Sequence, residues 1–146
     1  MAEKPQSEKN PALSILRMEH VFFEELSFRR EAPSSEGWNR PRLEITPEME
    51  ATGENQYRVS LEVLAIQEDV FTAKVKVCGD FSIEGGVDAD LKEIVIKRNT
   101  MSILFPFVRS QMTLLTSQPE MVPVVLPAVN INAMLDQKTT VIQVDE

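Results

Sequence analysis

The sequence predicts an α+β domain in which a run of β-strands precedes a run of helices. Two patterns predict this class. Apolar and polar residues alternate with period two in four segments before residue 78, and apolar residues at helical spacing follow from residue 88. Strands grouped ahead of helices are typical of α+β folds. The length of 146 residues suits a single domain.

The first strand is predicted over residues 14–30, where an apolar face alternates with a charged one. Glu24 interrupts the apolar face, so we expect a β-bulge near Phe23 and Glu24. Val21 and Phe23 place apolar groups on the charged face, and a subunit contact or cover from within the chain would explain them equally well. The remaining members of the apolar face are Leu16, Met18, His20, Phe22, Leu26 and Phe28; the charged face carries Arg17, Glu19, Glu25, Ser27 and Arg29.

Three further strands are predicted over residues 42–45, 57–65 and 71–77. The last two flank a short turn and form the clearest hairpin in the chain. Each strand is polar on one face, so we expect an antiparallel sheet that is covered on one side only. The loop before these strands holds the only tryptophan, Trp38, whose ring would either close the edge of the core or line a binding surface.

A short helix is predicted over residues 88–97 and a longer one over residues 99–118. Since proline is tolerated only near the start of a helix, Pro106 predicts that the regular helix begins around Ser102 or Ile103. The apolar stripe is wide for a helix that covers one sheet, which predicts burial on two sides, by the sheet and by another subunit. An extended link and a final short helix are predicted over residues 119–127 and 129–138.

The charge and the residue types limit the possible functions. There are 15 basic and 23 acidic residues, and the net charge of -8 disfavours binding to nucleic acid or to an anionic membrane surface. The single cysteine requires no oxidising compartment, and no apolar run is long enough to span a bilayer, so we expect a cytoplasmic protein without membrane insertion. No clustered metal ligands and no glycine-rich phosphate loop are visible, so no cofactor or metal is predicted.

An enzyme or small-ligand binder remains an alternative. His20 would be its general base, but a lone histidine on an apolar strand face is more often a core residue. Cys78 would be its nucleophile, but no convincing base accompanies it, and a buried small hydrophobe is the simpler interpretation. An enclosed pocket with converging polar groups, rather than an open apolar groove, would favour this alternative.

Four motifs resemble the SecB family of bacterial protein-export chaperones, in the family's order and spacing. One runs Ile103-Leu104-Phe105-Pro106-Phe107 with Arg109 after Val108, and is similar to the family's Asn-Ile-Leu-Phe-Pro-Tyr-Ala-Arg. The others are Glu25-Leu26-Ser27-Phe28, Asp80-Phe81-Ser82-Ile83-Glu84-Gly85 and Pro127-Ala128-Val129-Asn130, the last with its proline one place early. They extend over residues 14–137.

The resemblance implies a four-stranded antiparallel sheet with one long and one C-terminal helix packed on one face. It also implies a dimer of dimers that holds unfolded precursor proteins in apolar grooves without nucleotide and passes them to the motor ATPase SecA. Such a protein is not an enzyme. The implied division is a disordered tail over residues 1–12, a chaperone domain over 13–138 and a C-terminal tail over 139–146.

The resemblance also assigns residues. Client-binding positions match Trp38, Phe71 and Leu135, where leucine replaces an aromatic residue. The oligomer interface is assigned to Val21, Phe23, Phe107 and Met112. Positions that dock the motor through acidic groups match Glu25, Arg29, Thr72 and Lys74.

Two of the docking positions, Arg29 and Lys74, carry the charge opposite to the family's. Each reversal of an exposed pair is worth about 1 kcal/mol, so we expect weakened docking on SecA. A SecB-like chaperone dedicated to another client, such as an antitoxin, is therefore the second hypothesis.

Overall fold

The computed structural model describes residues 15–32, 41–127 and 138–143. These residues form one antiparallel sheet whose strands are β1 (Leu16–Arg30), β2 (Arg42–Gly53), β3 (Gln56–Gln67), β4 (Phe71–Ile83) and β5 (Thr140–Gln143). The spatial order is β1-β4-β3-β2-β5. The predicted α+β class and antiparallel sheet are confirmed, and the structure adds the short fifth strand at the β2 edge.

The predicted hairpin is strands β3 and β4. Leu61 lies opposite Val77, and the tight turn places Asp69 in the left-handed region at φ 63°. The odd-numbered residues of β2, β3 and β4 point to one face, called the helix-side face, and form most of the core. The even-numbered residues form the opposite face, called the outer face, where half-exposed polar groups predominate. The expectation of a sheet covered on one side is confirmed for the described residues.

The first strand differs from the predicted face assignment. The expected bulge between Phe23 and Glu25 is present, but a second bulge lies between Met18 and His20. Each bulge shifts the alternation by one residue, so Val21 and Phe23 join the helix-side face and pack on the core, while Phe22 and His20 lie on the outer face. The predicted placement of these four side chains was wrong. Packing within the chain covers Val21 and Phe23 in part, and both remain half-buried.

The helical region also differs from its prediction. Helix α1 (Ala89–Ile94) continues through a π-helical turn (Val95–Asn99) into helix α2 (Thr100–Thr116) without a break. The predicted helix start near Ser102 was therefore wrong, since Pro106 lies within α2. Ser102 and Pro106 are both exposed, so water can hydrogen-bond the Ser102 carbonyl that the proline leaves without a backbone donor.

Helix α2 packs on the helix-side face over β4, β3 and β1. Its fully buried apolar side chains are Met101, Leu104, Val108 and Met112. The apolar stripe of α2 is wider than its buried part, as predicted. Ile103, Phe107 and Leu115 are only half-buried, and Leu114 is 62% exposed. Part of this apolar surface is therefore available for contact outside the subunit.

The predicted extended link differs at its start, where residues 119–121 form a turn with Glu120 in the left-handed region at φ 60°; residues 122–127 then continue without regular secondary structure. Val124 and Leu126 are buried in the core. The Val124 amide donates to Thr116 Oγ1 at 2.7 Å, and Thr113 Oγ1 donates to the Val124 carbonyl at 3.1 Å. Two threonines of α2 thus hold an extended backbone that belongs to no sheet. The predicted helix over residues 129–138 lies almost wholly outside the described residues, as does the N-terminal tail.

Candidate functional site

The first candidate surface is the end of the outer face near the β3–β4 turn. The register between β1 and β4 places Arg29 opposite Thr72, and Lys74 lies two residues further along β4. Lys74 Nζ lies 3.5 Å from Glu25 Oε2 and 3.3 Å from Glu62 Oε1. The fold therefore brings together the four positions assigned to motor docking, namely Glu25, Arg29, Thr72 and Lys74.

The charges at this end of the outer face largely neutralise one another. The hydrogen bond and charge of Glu62, followed by the charge of Glu25, raise the pKa of Lys74, so it remains an ammonium group at neutral pH. Ser27 Oγ also donates to Glu25 Oε2 at 3.1 Å. The one acidic group that the docking positions retain is thus already engaged within the chain.

A second polar cluster surrounds the Glu24 bulge. Glu24 Oε2 accepts a hydrogen bond from Cys78 Sγ at 3.1 Å and lies 3.4 Å from Lys76 Nζ. The bond from Cys78 and the charge of Lys76 lower the pKa of Glu24. Burial and the adjacent Glu24 raise the pKa of the Cys78 thiol to about 11, so the thiol stays protonated and unreactive at neutral pH.

Phe22 is an exposed aromatic residue on the outer face, with 39% of its surface accessible. Arg58 lies 5.4 Å from the centre of its ring and makes two hydrogen bonds to Asp80, at 2.8 and 3.2 Å. This pairing raises the pKa of Arg58 and lowers that of Asp80. His20 is exposed beside Asp80, which corrects its predicted place among apolar residues.

Among the described residues, the geometry gives no support for a catalytic or metal site. Cys78 donates a hydrogen bond to Glu24, and because the pKa of this carboxylate is lowered while that of the thiol is raised, Glu24 is too weak a base to take the thiol proton. His20 is solvent-exposed and lies opposite Asp80, whereas Cys78 lies opposite Phe22. Within residues 15–32, 41–127 and 138–143, no three metal-ligating side chains come close enough to bind an ion. In the same ranges no helix has the length and hydropathy to cross a membrane.

The second candidate surface is an open groove between the far ends of β2 and β3 and helix α1. Its volume is about 340 Å³. Lys92 crosses the rim, where its Nζ donates to Asn55 Oδ1 at 2.8 Å and lies 5.5 Å from the centre of the Tyr57 ring. The lining is mostly apolar with a charged rim, and consists of Met49, Ala51, Tyr57, Ala89 and Ile96 with Glu50, Lys92, Glu93 and Lys97.

The predicted client-binding residues are dispersed or outside the described residues. Trp38 and Leu135 belong to the part of the chain that is not described. Phe71 is only 2% exposed, and its ring stacks on that of Phe28 with centres 6.0 Å apart. Phe71 is thus a core residue of the subunit and offers almost no surface to a client in this conformation.

The predicted interface residues lie under and beside α2. The rings of Phe23 and Phe107 meet edge-to-face at 6.5 Å, and Val21 is half-buried beside them. Met112 is completely buried. An interface here would contact the half-exposed rim formed by Phe23 and Phe107, with Met112 supporting it from below.

The groove was not predicted from the sequence. The second strand was predicted only as far as residue 45, although Met49 and Ala51 continue the period-two pattern. The π-helical turn that buries both Val95 and Ile96 has no sequence signature. The alternation at Met49 and Ala51 was the available signal, while the approach of α1 to β2 depends on tertiary packing.

Comparison with known proteins gives one consistent result. The family model described as preprotein translocase subunit SecB matches residues 6–141. The protein-export protein SecB of Anaplasma phagocytophilum (strain HZ) is 33% identical over 100 residues, or 63% of this chain, and the match spans 62% of that relative's length.

A solved structure resembles this fold. It is a Mycobacterium tuberculosis SecB-like chaperone in complex with a ChAD peptide from the HigA1 antitoxin. The TM-score is 0.64 at 17% identity, over 80% of this chain and 93% of that one. At this identity the likeness establishes the fold.

Proposed function

The chain belongs to the SecB family, and on this premise we propose that it is an ATP-independent holdase that keeps unfolded precursor proteins competent for export through the Sec pathway. The observation that carries the proposal is the family match over residues 6–141. The family consists of chaperones and not of enzymes, which confirms the prediction that this chain is not an enzyme. Its clients would be held in the cytoplasm before they reach the membrane.

The apolar groove beside α1 supports client binding. Unfolded proteins share exposed apolar side chains and a free backbone, so a chaperone needs open apolar surface rather than a closed polar pocket. Met49, Ala51, Tyr57 and Ile96 provide such a surface, and methionine adapts readily to different side chains. In this proposal Trp38 and Leu135 also bind the client. Phe71 binds it only in a conformation in which Phe28 no longer stacks on its ring.

The proposed assembly is a dimer of dimers. Its support is the half-exposed apolar rim of Val21, Phe23 and Phe107 beside α2, together with Leu114, which is 62% exposed. An apolar stripe of this width is costly to leave in water. The proposed chaperone domain covers residues 13–138, between tails over 1–12 and 139–146.

A second candidate function follows from the outer face. Lys74 pairs with both Glu25 and Glu62, and its charge together with that of Arg29 balances the two carboxylates, so an acidic docking surface for SecA is lacking at these positions. A SecB-like chaperone dedicated to another client, such as an antitoxin, would not need that surface. A binding titration separates the two functions, since tight binding to SecA by the unaltered protein would contradict the second.

Suppression of client aggregation tests the leading proposal. An unfolded protein is diluted into buffer with a stoichiometric amount of this protein, and light scattering follows its aggregation. We expect suppression, and we expect Ala51→Glu to weaken it because Ala51 is exposed and lines the groove. Ser27→Glu adds the same charge on the outer face and should behave as the unaltered protein. Aggregation that proceeds at the same rate with and without this protein would refute the holdase function.

A further inference from the structure

The outer edge of β2 is only partly covered. Strand β5 pairs with β2 over four positions, from Arg42 opposite Gln143 to Ile45 opposite Thr140. Strand β3 pairs with β2 along its other side as far as Gly53. Within the described part of the chain, residues 46–53 therefore have a strand on one side only. Such an edge presents backbone donors and acceptors that another strand can satisfy.

The covering strand is short and lies near the end of the chain. Ile142 packs on the core, whereas Val141 is 59% exposed on the outer face. A hydrogen bond of 2.9 Å between the hydroxyls of Thr139 and Thr46 fixes the point where the chain reaches the edge. A four-residue edge strand has few contacts to lose, so it opens more readily than the central strands.

The uncovered length of β2 leads directly into the apolar groove. Met49 and Ala51 belong both to this length and to the groove lining. Pro47 lies between the part of β2 that β5 covers and the part that borders the groove. It stays in register with Leu61 of β3. A proline in an edge strand has its missing N–H on the open side. The edge therefore has a stretch that accepts a strand, now filled by β5, and a stretch bordered by apolar side-chain pockets.

We propose that an extended segment of an unfolded polypeptide pairs with this edge of β2 as an added antiparallel strand, and that β5 occupies the edge until a client displaces it. The inference rests on the proposed holdase function and deepens it. Backbone pairing suits clients of unrelated sequence because every extended chain offers the same donors and acceptors. The partner is a stretch of β-forming residues with apolar side chains at alternate positions, as Ile142 of β5 already shows.

The proposal makes β5 and the client mutually exclusive. A client strand that runs along β2 from the groove would meet β5 where Thr140 pairs with Ile45. The apparent affinity for clients is then the intrinsic affinity reduced by the fraction of molecules in which β5 is open. Holding β5 closed should weaken binding, and removing it should strengthen binding.

A reversible lock tests this exclusion. Glu44 and Val141 lie opposite each other, so Glu44→Cys with Val141→Cys allows a cross-strand disulfide, while the native Cys78 is buried and unreactive. The probe is a fluorescent synthetic peptide of alternating valine and threonine flanked by lysines. We expect the oxidised lock to bind it about tenfold more weakly than the same protein after reduction. A peptide N-methylated at alternate amides should also bind more weakly, because it lacks the donors for pairing.

Deletion of residues 140–146 is the complementary test, with circular dichroism to confirm folding. We expect tighter peptide binding and an unchanged molecular mass. A deletion that raises the mass instead would show that the edge pairs with a second copy, which overturns the inference. Equal peptide affinity in the locked and reduced forms, with normal suppression of aggregation, overturns the inference and leaves the holdase function standing. Failure of the unaltered protein to suppress aggregation refutes the holdase function itself.

Discussion

At the scale of single residues, the Glu24 bulge determines the chemistry of the only cysteine. The bulge turns Glu24 towards Cys78 and Lys76, where one carboxylate oxygen contacts both groups. A negative charge beside a buried thiol opposes formation of the thiolate. The Cys78 thiol is therefore held in its protonated, non-nucleophilic form.

Alkylation of Cys78 is expected to be slow at neutral pH and to rise about tenfold per pH unit up to about pH 11, the pKa of this thiol. Glu24→Gln should lower that pKa because it removes the adjacent charge, so the whole pH profile should shift to lower pH. Iodoacetamide labelling followed by mass spectrometry measures both rates. The urea-unfolded protein is the control, and a Glu24→Gln profile identical to that of the unaltered protein would contradict the assignment.

Gly79 is required by close packing beneath α2. A Cβ atom at this position would lie 2.5 Å from the Phe81 ring and 3.2 Å from a Leu104 methyl group. We expect Gly79→Ala to lower the free energy of unfolding by about 1–3 kcal/mol, measured by urea denaturation. Gly85→Ala is the matched control, because the nearest atom to its Cβ is 3.6 Å away. Equal stability of the two variants would show that the Phe81 ring moves aside without cost.

At the scale of elements, α2 does more than cover the sheet. Thr116 Oγ1 donates to the Met112 carbonyl and accepts from the Val124 amide, so one hydroxyl joins the helix to the extended link. Residues 119–127 contribute Val124 and Leu126 to the core without any ladder of backbone hydrogen bonds. The position of the link depends on these side-chain bonds.

Thr116→Val is expected to cost about 1–3 kcal/mol, because it keeps the side-chain shape but leaves the buried Val124 amide without an acceptor. Urea denaturation gives the loss in stability, and hydrogen exchange should show faster exchange of the Val124 amide. Ser110→Ala, at an exposed position of the same helix, should have almost no effect. If the Val124 amide exchanged equally slowly in both variants, Thr116 would not be what holds the link.

At the scale of the whole molecule, the placement of charge is more informative than its total. The net charge of -8 agrees with the acidic motor-docking surface that the resemblance implies. On the outer face, however, Lys74 lies between Glu25 and Glu62, and Arg29 lies opposite Thr72. The chain is acidic overall and nearly neutral where the family's docking surface would be.

The double variant Arg29→Glu with Lys74→Glu should bind SecA more tightly than the unaltered protein. It removes two positive charges and releases Glu25 and Glu62 from their ion pairs, and the gain should diminish at high salt. Isothermal titration calorimetry measures the affinity. Lys76→Glu changes the same type of charge on the same face, beside Glu24, and is expected to have little effect. Tighter binding by this control alone would move the docking surface to the Glu24 cluster.

The sequence by itself determined the class of the fold, the β3–β4 hairpin and the family. Alternation with period two and the four ordered motifs are local properties, so they can be read without knowing the contacts. The prolines of residues 119–127 predicted a link without helix or strand, but they did not predict the turn in which Glu120 takes a positive φ. The four positions that the resemblance assigned to motor docking lie close together in the structure, while their role stays a prediction.

Only the tertiary structure decided the faces of β1, the continuous helix through Pro106, and the partner of the β2 edge. A single bulge reverses which side chains face the core, and the bulge at residue 19 depends on pairing with β4 rather than on local sequence. Strand β5 forms because the open edge of β2 lies within reach of the C-terminal residues, whose own sequence gives no clear strand signal. Pairing between strands that are distant in sequence depends on both segments, so it cannot be predicted from either segment alone.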